Sequence, residues 1–358
     1  MSDPQAKFER IRAAIEAADR ALAEALDQRV EAMRDLSALR EAEPEGYFVP
    51  PRDADAIARV SEQARSFPTE GIRPVMTEVL SVCQQIISPA EVAYAGPLGG
   101  FGHLAARKHF GAAASLHVFP SGDAVLSEVE RGHCSYGVLP FETSSDGAVT
   151  STLNLLARSD VKICAEVPVR RTFHLMGEGS VEGLRRIYAS GAAVTACEHY
   201  LSERFPEVDV IDARNGLSAA EKVKGVPEAA ALATAVVAEL ANLPFVERNI
   251  EDVSDLHTRY VIVGDDYPPR TGADRTAIVL ALHDAPGVLL DCLQPFAERK
   301  INLYRLETRP ARGWEFRYLI LFEVDGHITD RPLLAAIEAL RVSSRYVKVL
   351  GSYPRADQ

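Results

Sequence analysis

Hydroxyl groups and charges occur together at the ends of two apolar runs. The run 135–140 is followed by Phe141-Glu142-Thr143-Ser144-Ser145-Asp146-Gly147, and the run that ends at Val263 opens with Thr258-Arg259-Tyr260. A third segment after an apolar run, Gly96-Pro97-Leu98-Gly99-Gly100, supplies backbone N–H groups. Serine and threonine hydroxyls donate hydrogen bonds, and N–H groups at a helix start bind anions. These groups suit a small anionic ligand and a positioned proton donor.

Histidines and arginines supply further candidates for acid–base chemistry and anion binding. His103, His174 and His257 are candidate acids, and His174 has the better case because Arg170 and Arg171 precede it. Neighbouring arginines suit an anionic substrate. A lone histidine is more often structural, so both interpretations stay open for each of the three.

The first 89 residues show the period of helices. Apolar residues recur every three or four positions from Ile11 to Leu36, and no Gly or Pro interrupts 6–40. This pattern predicts one helix of about 35 residues, followed by helices from Asp53 or Asp55 through Arg65 and over 72–87. A single apolar stripe cannot bury itself, so we expect a bundle completed by a second chain.

Residues 91–264 alternate strand-like and helix-like segments. This alternation predicts an α/β domain with a largely parallel sheet, whose ligands bind at loops beyond the carboxyl ends of the strands. Residues 265–272 have the composition of a linker. The order of the remaining elements predicts the β-α-β-β-α-β arrangement of a ferredoxin-like module. These elements are strands at 276–281, 302–308, 316–324 and 346–353 and helices at 288–300 and 330–340.

Composition narrows the class of protein. The 358 residues are 47% apolar and 25% charged, which is typical of a folded protein of two or three domains. A net charge of −12 without a basic run argues against a nucleic-acid partner. No apolar stretch reaches the ~20 residues of a membrane span, and the start MSDPQAKFER lacks a secretory pattern. Five cysteines without a CxxC pair predict thiols of a reducing cytoplasm rather than a zinc site or a disulfide framework. We expect a cytoplasmic protein that uses no metal and no cofactor.

Ordered motifs along nearly the whole chain resemble the bifunctional chorismate mutase/prephenate dehydratase family. They are Val92–Pro97, His103–Ala106, Tyr136–Glu142, Ser144–Val149, Thr258–Tyr260, Glu307–Pro310 and Leu350–Pro354. The resemblance implies an all-α chorismate mutase type II-like domain at 1–89. It further implies a two-lobed, periplasmic-binding-protein-like α/β prephenate dehydratase domain at 90–266 and an α+β ferredoxin-like ACT regulatory domain at 273–358.

The resemblance also implies a dehydratase site. Thr258 matches the threonine held essential in the family, with Arg259 beside it and Tyr260 where Phe is usual. Ser144 and Ser145 match a pair of family serines. The complete candidate set is Thr258, Arg259, Glu142, Ser144, Ser145 and His174 for catalysis, and Gly99, Gly100, Phe101, Thr143 and Tyr260 for substrate binding.

One turn departs from the family pattern. The family usually has Gly-Thr-Phe-Ser-His where this chain has Gly99-Gly100-Phe101-Gly102-His103, so two hydroxyl groups are missing. Each hydrogen bond lost to a charged ligand costs about 1.5–3 kcal/mol. Two interpretations stay open: the pocket is weakened or retuned to a related ligand, or the N–H groups of Gly100 and Gly102 replace the hydroxyls.

The mutase-like pocket departs further from the family pattern than the glycine-rich turn does. The resemblance implies Arg12, Arg29, Arg40 and Asp53 as its residues. At about 100° per residue Arg29 and Arg40 share one helix face, whereas Arg12 lies roughly 100° round and suits the pocket of a partner chain. Family polar positions are occupied by Ala56, Ile57 and Ile87. We therefore expect chorismate mutase activity to be absent or severely reduced, and this block to serve chiefly in dimerisation.

The C-terminal block resembles domains that bind phenylalanine at a dimer interface. The motifs that match are Gly287-Val288-Leu289 and Glu307-Thr308-Arg309-Pro310. The main expectation is a phenylalanine-sensitive prephenate dehydratase that forms a homodimer or homotetramer. Two alternatives stay open: a prephenate decarboxylase-like or other specialised-metabolism enzyme, and a non-catalytic ligand sensor that regulates an active paralogue.

Overall fold

A computed structural model describes residues 4–42, 53–87, 89–265, 267–310 and 318–356. The chain divides into two compact units. The first consists of Met1–Ala90 with His109–Ser115, and the second of Glu91–Lys108 with Leu116–Gln358. Within the described ranges, no helix combines the length and the apolar character needed to cross a membrane.

The first unit is helical, as the apolar period predicts. Its helices are α1 (Pro4–Ala42), α2 (Asp53–Gln63) and α3 (Thr69–Ile87). The long uninterrupted α1 is confirmed, and α3 begins at Thr69 rather than at the predicted Ile72. Apolar side chains along α1 remain exposed, among them Phe8, Ile11, Ile15 and Leu22. The bundle completed by a second chain stays a prediction.

The second unit begins with a two-lobed α/β region. The first lobe contains β1 (Glu91–Ala95), α4 (Phe101–Phe110), β2 (Ser115–Phe119), α5 (Gly122–Glu130), β3 (Tyr136–Thr143), β4 (Gly147–Ala148), α6 (Thr150–Arg158) and β5 (Lys162–Arg170). The second lobe contains β6 (His174–Met176), β7 (Arg186–Ala189), α7 (Gly191–Ala196), α8 (Glu198–Arg204), β8 (Asp209–Asp212), α9 (Gly216–Val223), β9 (Ala229–Ala233), α10 (Ala235–Ala241) and β10 (Phe245–Arg248). The chain then returns to the first lobe as β11 (His257–Gly264).

The prediction of a largely parallel sheet is wrong. In the first lobe β1 pairs in parallel with β3, whereas β11 runs antiparallel to both of its neighbours, β5 and β3. In the second lobe β7 pairs in parallel with β8 and β9, whereas β6 is antiparallel to β9 and β10. The chain crosses between the lobes twice, and the first strand after each crossing, β6 in the second lobe and β11 in the first, runs antiparallel to both of its neighbours.

The C-terminal block has the predicted β-α-β-β-α-β order. Its elements are β12 (Asp274–Leu282), α11 (Val288–Glu298), β13 (Leu303–Pro310), β14 (Tyr318–Asp325), α12 (Arg331–Ser343) and β15 (Ser344–Pro354). The strands lie in the order β13-β14-β12-β15 and continue into β5-β11-β3-β1-β2, and β4 pairs with β3 beside this path. The first lobe and this block therefore share one ten-stranded sheet.

The junction within this sheet requires a glycine. Gly351 of β15 pairs with Ile163 of β5, and a Cβ at Gly351 would lie 2.4 Å from the Ile163 backbone oxygen. Apolar residues of both parts also share one core, in which Tyr353 and Leu321 pack with Phe141 and Leu139. The C-terminal block therefore supports the strands that carry the candidate site.

Candidate active site

Three adjacent strands position the candidate residues of the first lobe. Thr258 near the start of β11 pairs with Thr143 on β3 and with Val169 on β5. The next residue, Arg259, pairs with Glu142. Successive side chains of a strand point to opposite faces. Thr258 and Thr143 therefore share one face of the sheet, and Arg259 and Glu142 share the other.

The face that carries Thr258 also carries Tyr260 and Arg171. Thr258 is 5% exposed, and no hydrogen bond to its hydroxyl occurs within the described residues. Burial raises the pKa of Tyr260 to about 12, and the charge of Arg171 opposes this rise. The Tyr260 phenol is therefore neutral near pH 7. The N–H of Arg171 donates to Leu256 O at 2.8 Å, so the pairing of β11 with β5 continues to this residue.

The glycine-rich turn before α4 is tightly packed. Gly99 has φ +79, and a Cβ there would lie 2.6 Å from Val237 Cγ2 of the second lobe. A Cβ at Gly102 would lie 2.5 Å from Ala95 O. Because the turn has no space for a side chain at Gly102, the serine usual in the family does not fit this backbone. The N–H of Gly100 donates to Pro97 O at 2.9 Å, so it is already used within the turn.

Two side chains fix this turn from opposite sides. His103 Nδ1 accepts a hydrogen bond from Gly99 N at 3.2 Å, and Thr234 Oγ1 donates to Gly99 O at 2.5 Å. Phe101 follows the turn and meets Phe173 edge to face, with 5.4 Å between the ring centroids. The Arg171 guanidinium carbon lies 5.8 Å from the centroid of Phe101. The turn, Phe101 and Arg171 therefore meet where the chain passes between the lobes.

The two predicted serines lie in the exposed turn between β3 and β4. Ser144 Oγ accepts from His257 N at 3.1 Å, and Ser144 N donates to His257 O at 3.0 Å. Ser145 Oγ donates to Asp146 Oδ2 at 2.8 Å, and Thr143 Oγ1 accepts from Asp146 N at 3.0 Å. Ser144 thus ties this turn to the start of β11, and Ser145 and Thr143 hydrogen-bond within the turn.

On the opposite face, Arg259 lies at the centre of a buried ionic network. Its Nη1 and Nη2 donate to Glu323 of β14 at 2.7 and 2.6 Å. It also donates to Glu142 and to Glu166, each at 2.8 Å. Burial alone would lower the pKa of Arg259, but Glu323 and Glu166 raise it well above its ordinary value. Arg259 and Glu142 are therefore turned away from Thr258 and toward the C-terminal block.

The network extends through arginines of the C-terminal block. Arg305 of β13 lies 2.8 Å from Glu142 and 3.5 Å from Glu323, and Arg275 of β12 lies 3.0 Å from Glu166. Burial raises the pKa of Glu323, but the neighbouring arginines outweigh burial, so the net pKa is lowered. The acidic and basic members are equal in number. They are Glu142, Glu166, Glu307 and Glu323, and Arg259, Arg275, Arg305 and Arg309.

Two residues of the Glu307–Pro310 motif also contact β4 and the turn at Ser144–Asp146 that precedes it. Glu307 Oε1 accepts from Ala148 N at 3.0 Å, and Arg309 Nη2 donates to Asp146 O at 3.0 Å. Thr308 and Pro310 alternate with them and are exposed. Gly287, with φ +83, precedes α11, where Val288 is half-buried and Leu289 is exposed. No hydrogen bond joins Gly287–Leu289 to Glu307 or Arg309 within the described residues.

The three candidate histidines do not gather around Thr258. His174 lies in the sheet of the second lobe, where its Nδ1 accepts from Asn249 N at 3.1 Å and its ring meets Phe245. Burial lowers the pKa of both His174 and His103, so both are neutral near pH 7. His257 is exposed beside Ser144. The structural interpretation of His103 and His174 therefore has geometric support.

The helical unit contains an apolar groove of about 860 Å³. Its lining includes Leu22, Leu26, Met33, Val60, Phe67 and Val79. Arg29 also lines it, with a buried Nε that has no hydrogen-bond partner. Arg12 forms an exposed pair with Glu16 at 3.1 Å. Arg40 belongs to α1 and Asp53 begins α2, but their side chains lie outside the described part of the chain.

Half of the ionic network, namely Glu166, Glu323, Arg275 and Arg305, lies outside the residues that the sequence motifs predict. Glu166 and Glu323 each interrupt an apolar strand, in the runs Ile163-Cys164-Ala165-Glu166-Val167 and Leu319-Ile320-Leu321-Phe322-Glu323-Val324. A charge inside a buried strand must be paired, so this signal was present. The partners, however, come from distant parts of the chain.

The chain matches two family models and full-length relatives. The model of chorismate mutase type II matches residues 11–86, and the model of prephenate dehydratase matches residues 92–268. A bifunctional chorismate mutase/prephenate dehydratase of Pseudomonas aeruginosa is 32% identical over 98% of this chain and 99% of that protein.

Solved structures resemble the second unit. A prephenate dehydratase of Arthrobacter aurescens in complex with L-Phe is 31% identical, with a TM-score of 0.66 over 75% of this chain and 90% of that one. A protein described as a novel type of quorum quenching acylase, GqqA, is 26% identical, with a TM-score of 0.65 over 74% of this chain and 98% of that one. Proteins of this fold thus have different named activities. The length, domain order and identity of this chain agree with the bifunctional chorismate mutase/prephenate dehydratases. The chain belongs to the bifunctional chorismate mutase/prephenate dehydratase family.

Proposed function

We propose that this protein is a prephenate dehydratase, which converts prephenate to phenylpyruvate, carbon dioxide and water in phenylalanine biosynthesis. In this reaction the bond to the ring carboxylate breaks and its electron pair enters the ring. The bond to the ring hydroxyl breaks at the same time, and that oxygen leaves as water after it gains a proton. The observation that carries the proposal is the buried Thr258 hydroxyl, which lies on the face of Tyr260 and Arg171 and makes no hydrogen bond to any described residue.

Thr258 has the chemistry that the departing oxygen requires. Its hydroxyl is held on a strand between two others, and it can donate a hydrogen bond to the leaving group while solvent water supplies the proton. One such preorganised donor contributes about 10²–10³ in rate. The first N–H groups of α4 have no partner within the helix and favour a carboxylate. Arg259 acts by holding β11 in place rather than by touching substrate.

The test is to identify the product formed from prephenate by the purified protein. The proposal predicts phenylpyruvate. A non-aromatic decarboxylated product would favour the decarboxylase alternative, and the absence of turnover would favour the ligand sensor. Parallel incubation with an N-acyl substrate would report an acylase activity. A non-aromatic product or the absence of turnover of prephenate would overturn the proposal for this site, and so would acylase activity without phenylpyruvate formation.

We infer that the remaining blocks regulate and assemble this enzyme. The domains run over 1–89, 90–266 and 273–358, and the last is an ACT domain whose Gly287–Leu289 turn binds phenylalanine. Support comes from its β-α-β-β-α-β order and from the contacts of Glu307, Arg309 and Glu323 with the strands and turn of the site. Phenylalanine bound in this block is thereby linked to Thr258 through Arg259.

We infer that the helical block serves chiefly in dimerisation, and that the assembly is a homodimer or homotetramer. The exposed apolar residues of α1 and the largely apolar groove support a second copy of the chain as the occupant. Ala56 is buried and Ile57 is half-buried, so neither supplies the polar group expected of a mutase pocket. Turnover of chorismate by the purified protein at more than about 1 s⁻¹, an ordinary enzymatic rate, would contradict the predicted loss of mutase activity.

A further inference from the structure

We propose that Arg171 holds the carboxylate of the substrate that survives in the product, and that Tyr260 donates a second hydrogen bond to the same group. This proposal rests on the proposed function, because it names the residues with which that site binds its anion. The two residues replace the hydroxyl groups that the glycine-rich turn lacks at Gly100 and Gly102.

Arg171 is a cation without a counter-charge among the described residues. No carboxylate oxygen lies within 4.0 Å of its guanidinium in the described residues. The residue is half-buried, and its guanidinium retains contact with solvent. By contrast, the arginines of the network on the opposite face are paired with glutamates. A half-buried arginine with no acid beside it is arranged to accept an anionic ligand.

Arg171 also lies on the face of the sheet that carries Thr258. Pairing with Leu256 places Arg171 on the face of Val169 and Thr258, and its guanidinium lies over the Phe101 ring that follows the glycine turn. The charge of Arg171 also acts on the phenol of Tyr260. The phenol makes no hydrogen bond within the described residues, and its oxygen is not sealed from solvent. A ligand carboxylate bound beside Thr258 would therefore lie near both the Arg171 guanidinium and the Tyr260 hydroxyl.

The chemistry of the reaction decides which of the two prephenate carboxylates Arg171 holds. Prephenate has one carboxylate on the ring, which leaves as neutral carbon dioxide, and one on the side chain, which remains in phenylpyruvate. A guanidinium that held the ring carboxylate would stabilise its charge in the ground state and oppose its loss. Arg171 therefore suits the side-chain carboxylate, whose charge is unchanged by the reaction.

The experiment is calorimetric binding of prephenate in a Thr258→Ala background, in which turnover is slowed at least about 100-fold, with Arg171→Gln, Arg171→Lys and Tyr260→Phe added in turn. Losing a charge-assisted hydrogen bond weakens binding by one to two decades, so Arg171→Gln raises Kd about 10- to 100-fold. Arg171→Lys recovers part of this loss, and Tyr260→Phe raises Kd about 3- to 10-fold. Phenylpyruvate, used as a second probe with the otherwise unchanged protein, loses affinity to the same extent on Arg171→Gln.

Arg170→Gln is the matched control, because it removes the same charge one residue away. Arg170 is exposed and alternates with Arg171, and its Nε donates to Ser254 O at 2.7 Å. The Kd of the Arg170→Gln protein for prephenate stays within about twofold of the Kd of the Thr258→Ala background. A Kd unchanged by Arg171→Gln, or raised equally by Arg170→Gln, overturns the proposal, and an unchanged phenylpyruvate affinity overturns the assignment of the carboxylate. Binding is read from Kd and not from a rate, so failure of the proposed activity is seen separately in the product assay.

Discussion

Replacing Glu323 with glutamine removes one charge from the buried network while the shape of the side chain stays the same. Glu323 is fully buried and accepts two hydrogen bonds from Arg259 and one from the Tyr353 hydroxyl at 3.0 Å. Four arginines then face three glutamates, and the centre of the network, where Glu323 meets Arg259, is closed to water. An uncompensated buried charge costs about 3–5 kcal/mol. Because glutamine keeps one hydrogen-bond acceptor, we expect the lower end of this range.

The expected loss is measurable by thermal unfolding. For a unit of this size, about 3 kcal/mol corresponds to a Tm lower by roughly 6–12 °C. The matched control is Glu228→Gln, which removes an equally short pair with Arg186 at 2.8 Å. Both partners of that pair are well exposed, so its loss changes the free energy of unfolding by less than about 1 kcal/mol.

Two results would refute this reasoning. One is a Tm for Glu323→Gln within about 2 °C of the Tm for Glu228→Gln, which would mean that the network adds no more stability than a surface pair. The other concerns pH. The lowered pKa of Glu323 means that its contribution is present above the ordinary glutamate pKa of about 4.3 and is lost as the pH falls through the folded value. A difference between the variant and the parent that grows as the pH falls would contradict this sign.

Three further predictions concern the turn, the buried histidines and the effector. Gly102→Ala lowers Tm because its Cβ would lie 2.5 Å from Ala95 O, whereas Gly191→Ala, where no atom lies within 4 Å, leaves Tm unchanged or raises it. The free energy of unfolding falls from pH 7 to pH 5, by up to about 1.4 kcal/mol per pH unit for each buried histidine. The cause is that both histidines bind protons in the unfolded state but stay neutral in the folded state, where burial lowers the pKa of His103 and His174. His174→Asn, which keeps an acceptor for Asn249 N, reduces this slope. Calorimetry detects phenylalanine binding at millimolar concentration or below, and the absence of heat and of a Tm shift would count against the ACT assignment.

Local patterns predicted most elements of the fold. The length of α1 follows from the absence of Gly and Pro, and the order of the C-terminal block follows from its alternation of strands and helices. The direction of β11 could not be predicted this way. It depends on where the chain re-enters the first lobe, which the pattern of a single strand does not encode.

The candidate site shows the same division. Sequence motifs placed Thr258, Arg259 and Glu142 in one catalytic set, but alternation along β11 puts Arg259 on the face opposite to Thr258, against Glu323. The partner that decides the role of Arg259 lies 64 residues away along the chain. Conversely, Arg171 drew attention only as a neighbour of His174, and strand pairing with Leu256 is what brings it to the face of Thr258.

The most direct test of the account is the rate of phenylpyruvate formation by the parent protein, Thr258→Ser and Thr258→Ala at saturating prephenate. We expect Thr258→Ala to lower kcat by at least about 100-fold, as for the loss of a preorganised donor. Thr258→Ser keeps the hydroxyl and retains much of the rate. A Thr258→Ala protein that folds normally and turns over within a few-fold of the parent would contradict the claim that this hydroxyl assists the departing oxygen.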